Sequence, residues 1–354
     1  MLFPETISKK LNIPYPVIQA PMFGVSTPEM VAASADAGCL GSLALGDLPV
    51  EKCIPLIRKT RSLTEKPFAV NIFVHDIPEI TAGLREKYTE AKAFLETFAA
   101  ENGLNVNLPA LEDLTVNTYH EQLEAIIDEG CGILSCTFGI PDEESIGRLK
   151  EKNILLIGTS TSVEEALLLE KAGIDLIVVQ GIEAGGHRGT FNTENIPQIG
   201  GMSLLSQIAD HIDVPLMYSG GIYNAKTMQA ARALGAEGFQ VGSMLLAAQE
   251  SALLPFEKER LKTVQENDIV LTKSFSGRYA RGISNRYIRK LEGSDYILPY
   301  PYQNKLTGAL RNAAKLQQDA DFVSIWLGQS IHDYSTQSAK NILQNLIEEY
   351  KQLP

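Results

Sequence analysis

Cysteine is scarce, with only Cys39, Cys53, Cys131 and Cys136 among 354 residues. Four thiols cannot form the dense disulfide framework of a small secreted scaffold. Cys131 and Cys136 have no histidine nearby to complete a zinc set, so buried free thiols in a reducing compartment are expected. Positive charge is also in deficit: 31 Lys and Arg face 43 Asp and Glu, for a net charge of -12 and a pI near 5.0. That balance repels polyphosphate and anionic lipid, and no basic cluster overrides it, so neither nucleic acid nor membrane is an expected partner. Long apolar runs are missing, and the first residues lack a basic segment leading into a hydrophobic one. A cytoplasmic protein is expected.

What is present is a core. Hydrophobic residues make up 44% and charged residues 21% of the chain, the balance of a globular domain. Short apolar segments recur at about 15–20, 40–44, 67–73, 132–136, 153–158, 175–180, 214–218 and 238–241. Helical patterns alternate with them, as at Thr27-Pro28, where an N-cap residue precedes proline in the first turn. Eight such units imply an α/β fold, a (β/α)8 TIM barrel over residues 1–250. A charged and then Asn-rich stretch at 76–118 interrupts the rhythm after the third strand and reads as an insertion. Residues 251–354 read as a helical C-terminal extension with an irregular passage at 275–302, able to cover the barrel mouth as a lid or to serve a homodimer.

The segment Gln180-Gly-Ile-Glu-Ala-Gly-Gly-His-Arg-Gly189 follows the apolar run 175–179 and cannot continue it as a strand. Its glycines free the backbone to lie against a flat ligand. His187, one of five histidines, stands among them where an α/β barrel keeps its chemistry, beside Glu183 and Arg188. A solvated loop whose histidine caps a turn is the alternative. Arg188 suits shaping the loop better than chemistry. Asn71, polar within an apolar strand, either ties two strands together or touches a ligand. Trp326 suits the core better than a ligand contact.

Two glycine signals lie one βα period apart: Ser219-Gly220-Gly221, and Gln240-Val241-Gly242-Ser243 running into Met244. Loops after the last two strands of such barrels often hold phosphate through backbone N–H groups. Ordinary tight turns are the other reading of each.

Taken together, Gln19-Ala-Pro-Met22, Thr27-Pro28, Glu183-Ala-Gly-Gly-His-Arg-Gly189, Ser219-Gly-Gly-Ile222 and Gln240-Val-Gly-Ser243 resemble the nitronate monooxygenase family, formerly called 2-nitropropane dioxygenase. Leu306-Thr307 and Trp326-Leu-Gly-Gln329 extend the likeness into the tail. The resemblance implies an FMN-binding barrel, a flavoprotein oxidoreductase that oxidises alkyl nitronates such as propionate 3-nitronate with O2, in detoxification. By matching position it implies FMN contacts at Met22, Asn71, Gln180, Gly185, Gly220, Gly221, Gln240, Val241, Gly242, Ser243 and Met244, with His187 catalytic and no metal. The Val-Gly-Ser ending departs from the Gly-Thr expected there but keeps a hydroxyl. Two rival readings stand beside it: an NAD(P)H-dependent flavin reductase of the enoyl-acyl-carrier-protein or quinone type, and a barrel binding a phosphorylated metabolite without redox chemistry.

Overall fold

The computed structural model describes residues 3–353. Eight parallel strands make the central sheet: Val17–Gln19, Gly41–Gly46, Phe68–Phe73, Ile133–Thr137, Leu155–Ser160, Leu176–Gln180, Leu216–Ser219 and Gly238–Val241. Each expected apolar run is therefore a strand. The first strand pairs with the eighth, Val17 opposite Phe239. The remaining gap is closed by Gln19 N–H donating to Leu40 O at 2.9 Å and Leu40 N–H to Val17 O at 2.9 Å. The sheet is a barrel.

Two apolar layers hold it. Ile18, Leu40, Ala69, Ile133, Ile157, Leu176, Val178 and Met217 fill the interior, joined by Ile7 and Leu11 of the short helix Glu5–Leu11. Side chains alternate along each strand, so their neighbours point outward into the layer between strands and surrounding helices. Pro28–Asp36 starts as its sequence predicts: Thr27 Oγ1 accepts from Met30 N–H at 3.0 Å and donates to Glu250 O at 2.7 Å, tying the first βα turn to the segment after the last strand.

The interruption at 76–118 contains the helix Ala82–Glu101 and the short turn Leu111–Asp113. Tyr88 and Leu95 of that helix share a second apolar cluster with Phe275, Tyr287, Leu306 and Phe322 from the far end of the chain. The tail is not wholly helical. Ile269–Thr272 and Ala280–Ile283 form an antiparallel hairpin whose second strand also pairs with Gly186–His187, Ala280 opposite His187. Ala-Arg-Gly-Ile carries no apolar alternation, and its partner is remote in sequence, so pattern alone gave no strand there. Nor does the packing divide at residue 250. The last helix, Ala339–Lys351, buries Ile342, Leu343, Leu346 and Ile347 in the barrel's own outer layer, against the helices Pro28–Asp36 and Ala225–Ala233. It completes the helical ring, and the chain before it, from the eighth strand onward, is an excursion over the barrel's open end.

Candidate functional site

A cavity of about 350 Å³ opens at the C-terminal ends of the strands, walled by barrel loops on one side and by tail residues such as Tyr300, Arg311 and Trp326 on the other. Of the residues singled out in the sequence, Met22, Asn71, Gln180, Gly185, His187, Gly220, Gly221, Gln240, Gly242 and Ser243 all lie on its wall. Val241 and Met244 do not: both side chains are buried in the outer layer of the barrel. Strand alternation accounts for Val241, because a strand that turns Gln240 toward the cavity turns the next side chain away. Only the backbone of those two residues is left to serve a ligand.

The Gly-rich loop is built around Gln180 and Arg188. The Gln180 amide donates to His187 O at 3.0 Å and accepts from Gly189 N–H at 2.8 Å, clipping both sides of the turn. Arg188 is buried and donates to Gly181 O at 2.6 Å and Gln180 O at 2.9 Å, so it shapes the loop. Gly185 presses against the tail: a Cβ there would stand 2.5 Å from Gly328 N and Leu327 C, both backbone atoms. A side chain at this position would push the two segments apart.

His187 is half-buried within aromatic rings, edge-on to Phe138 at 5.7 Å and to Trp326 at 5.5 Å between centroids. Burial lowers its pKa to about 3, helped by the positive charges of Arg278 and Arg311, so the imidazole is neutral at physiological pH. Its Nε2 lies 2.8 Å from Ser276 Oγ. That hydroxyl gives its only proton to Arg278 O at 3.0 Å and takes Arg278 N–H at 3.3 Å. With the hydroxyl proton on Arg278 O, Ser276 accepts from His187, the arrangement that puts the ring proton on Nε2 and leaves Nδ1 with a lone pair.

At the other side of the cavity, Gly220 and Gly221 take φ of 130° and 67°, values that favour glycine. Facing them, Gly242 leads into the turn Ser243–Leu245, whose leading N–H groups have no carbonyl within the turn to bond. A Cβ at Gly242 would come 3.3 Å from Ala20 Cβ, so the bare backbone keeps this wall open. Ser243 Oγ accepts from Gly328 N–H at 2.9 Å, which leaves its own proton free to donate. Amides, a hydroxyl and glycines around a polar recess suit an anion such as phosphate. Asn71 ties two strands together, its amide donating to Ser135 O at 3.2 Å and Thr137 Oγ1 at 3.1 Å, and it also lines the cavity. Among the described residues, no three His, Cys, Asp or Glu side chains gather as a metal site, and no helix is long and apolar enough to cross a membrane.

Sequence reasoning missed Ser276, Tyr300 and Arg311, while Trp326 packs against the tail's apolar cluster as expected and also stands on the cavity wall beside His187. The tail residues are brought to the site by the hairpin and the helix Tyr302–Gln317, and no local pattern marks them. The Leu306-Thr307 and Trp326-Leu-Gly-Gln329 matches were the signals available.

With this geometry in view, the family model for nitronate monooxygenase matches residues 5–349. A protein of Staphylococcus saprophyticus that carries the name probable nitronate monooxygenase is 38% identical over 347 residues, 97% of this chain and 96% of its own. Among solved structures, a nitroalkane oxidase from Streptomyces ansochromogenes is 34% identical with a TM-score of 0.87, covering 98% of both chains. FabK from Thermotoga maritima is 25% identical with a TM-score of 0.75, over 98% of this chain and 96% of that one.

Proposed function

Since the chain belongs to the nitronate monooxygenase family and is an oxidoreductase, we propose that it is an FMN-dependent enzyme that oxidises alkyl nitronates, propionate 3-nitronate among them, with O2 and without a nicotinamide reductant. The observation that carries this reading is the placing, in one cavity, of a neutral imidazole hydrogen-bonded to Ser276 and a glycine-lined anion recess. The residues fit the cofactor. Gly220, Gly221, Gly242 and Ser243 would take its phosphate, and Met22 with the bare backbone of the Gly-rich loop would border its ring system. FMN, when bound, supplies the electron transfer, and the protein supplies position and charge.

His187 does the protein's share of the chemistry. Its neutral Nδ1 carries a lone pair, but with the pKa lowered to about 3 the ring is a weak base, so a nitronate already formed, which needs no proton removed, is the better substrate and a neutral nitroalkane the slower one. Ser276 holds the plane of the ring. The aromatic ring of Phe73, Phe138 and Trp326 around the imidazole keeps water from competing for it. Arg278 and Arg311 act on the imidazole more strongly than Asp47, which Lys305 pairs, and that balance of charge favours an anionic substrate.

The test is anaerobic. FMN-loaded protein mixed with a nitronate should lose its blue absorbance band, while NADH should leave the band intact. Bleaching by NADH and not by nitronates would instead make it a flavin reductase. Failure to take up FMN at all would favour the phosphorylated-metabolite reading.

A further inference from the structure

The helix Tyr302–Gln317 turns one face toward the cavity, with Asn304, Gly308, Arg311 and Lys315 at helical spacing. Its lysines are already paired: Lys305 Nζ is 3.2 Å from Asp47, and Lys315 Nζ is 3.2 Å from Glu257. Arg311 is not. Among the described residues no carboxylate comes within ion-pair distance of it. Its side chain donates only to neutral oxygens of its own helix, from Nη2 to Asn304 O at 2.9 Å and Asn304 Oδ1 at 2.8 Å, and from Nε to Thr307 O at 3.4 Å. Those bonds fix the guanidinium in place and leave Nη1 uncommitted. Gly308, one turn earlier on the same face, keeps space open, since a Cβ there would meet nothing within 4 Å.

Asp47 acts on Arg311 only from a distance and is itself held by Lys305, and a guanidinium drawn away from bulk water without a carboxylate in contact is costly unless a ligand brings one. The glycine recess at 220–221 and 242–243 already provides for one anion with backbone amides. Arg311 lines the same cavity as His187 from the tail side, on the helix that Lys305 ties to Asp47 just after the second strand. Two anion positions thus flank the space where substrate would lie.

We propose that Arg311 is a specificity-determining residue that binds a second negative group, a carboxylate, at the far end of a short substrate whose reacting carbon faces His187. This rests on the reading of the site as a nitronate oxidase and adds to it a preference within that class. A planar fork of donors suits a carboxylate, which it can hold by two parallel bonds.

The experiment compares FMN-loaded wild type with Arg311→Gln and Arg311→Lys on two chain-matched substrates, propionate 3-nitronate and propyl-1-nitronate. The ratio of their kcat/KM values should fall by about thirtyfold in Arg311→Gln, with partial retention in Arg311→Lys. An unchanged ratio in a folded variant, both substrates slowing together or neither slowing, would overturn the proposal. A second readout needs no turnover: titration with succinate should perturb the flavin absorbance of wild type and not of Arg311→Gln. If wild type oxidised neither nitronate, the oxidase reading would fall, while the succinate titration would still decide the subsite, and its absence in wild type would refute it.

Discussion

His187 Nε2 and Ser276 Oγ lie 2.8 Å apart although 89 positions separate them in the chain. The serine fixes which ring nitrogen holds the proton, so its removal should act on the chemical step and spare cofactor binding. Ser276→Ala is expected to lower kcat on a neutral nitroalkane about tenfold, and His187→Asn about a hundredfold or more, with FMN still bound in both. Ser276→Thr, which keeps the hydroxyl, should restore most of the loss. Equal KM and kcat changes in the alanine and threonine variants would show a merely structural role.

The depressed pKa of His187 gives a pH signature. A free imidazole titrating at 6.5 would be about nine-tenths protonated at pH 5.5 and would lose its function as a base. With the pKa lowered to about 3 by burial and by Arg278 and Arg311, the ring stays neutral through that range. The rate constant for proton removal from a neutral nitroalkane should therefore stay level from pH 8 down to pH 5. A tenfold fall centred near pH 6.5 would contradict this.

Gly185 has no room for a side chain, because the backbone of Leu327 and Gly328 occupies the place of its Cβ. Gly185→Ala should separate the Gly-rich loop from the tail at a cost of about 1–3 kcal/mol. A lowered melting temperature would measure the cost, and the chain's single tryptophan, Trp326, would report the displacement by its fluorescence.

All four cysteines are buried and free. Burial raises the thiol pKa of Cys39 and Cys136 to about 12 and of Cys131 to about 11, and also raises that of Cys53. The thiolate is the reactive form, so a thiol reagent at pH 8 should modify the native protein slowly and all four cysteines once it is unfolded. Rapid native labelling would show that one of these sites opens.

The barrel was legible because its strands are short apolar runs, buried on both faces and punctuated by turn residues, so each segment carries its own signal. The same locality exposed Thr27 as a cap and His187 among glycines. Ser276 and Arg311 gave no such signal. Ser276 sits in an irregular passage and acquires its role only when the hairpin brings Ala280 alongside His187. Arg311 looks like any solvated helix charge until the helix Tyr302–Gln317 is laid over the barrel and its carboxylate neighbours are seen to be taken by lysines. Val241 shows the converse: a motif picks out contiguous residues, whereas a pleated strand turns only every second side chain toward one face.

The helix Ala339–Lys351 completes a ring whose strands are all in place by Val241. During synthesis, then, a nascent chain holding every barrel strand still lacks the cover over Phe239 that Tyr350 provides. The whole excursion that roofs the cavity must be translated before the wall behind it is sealed, so stop codons anywhere in that excursion would release an open-sided barrel and expose it to proteases and aggregation.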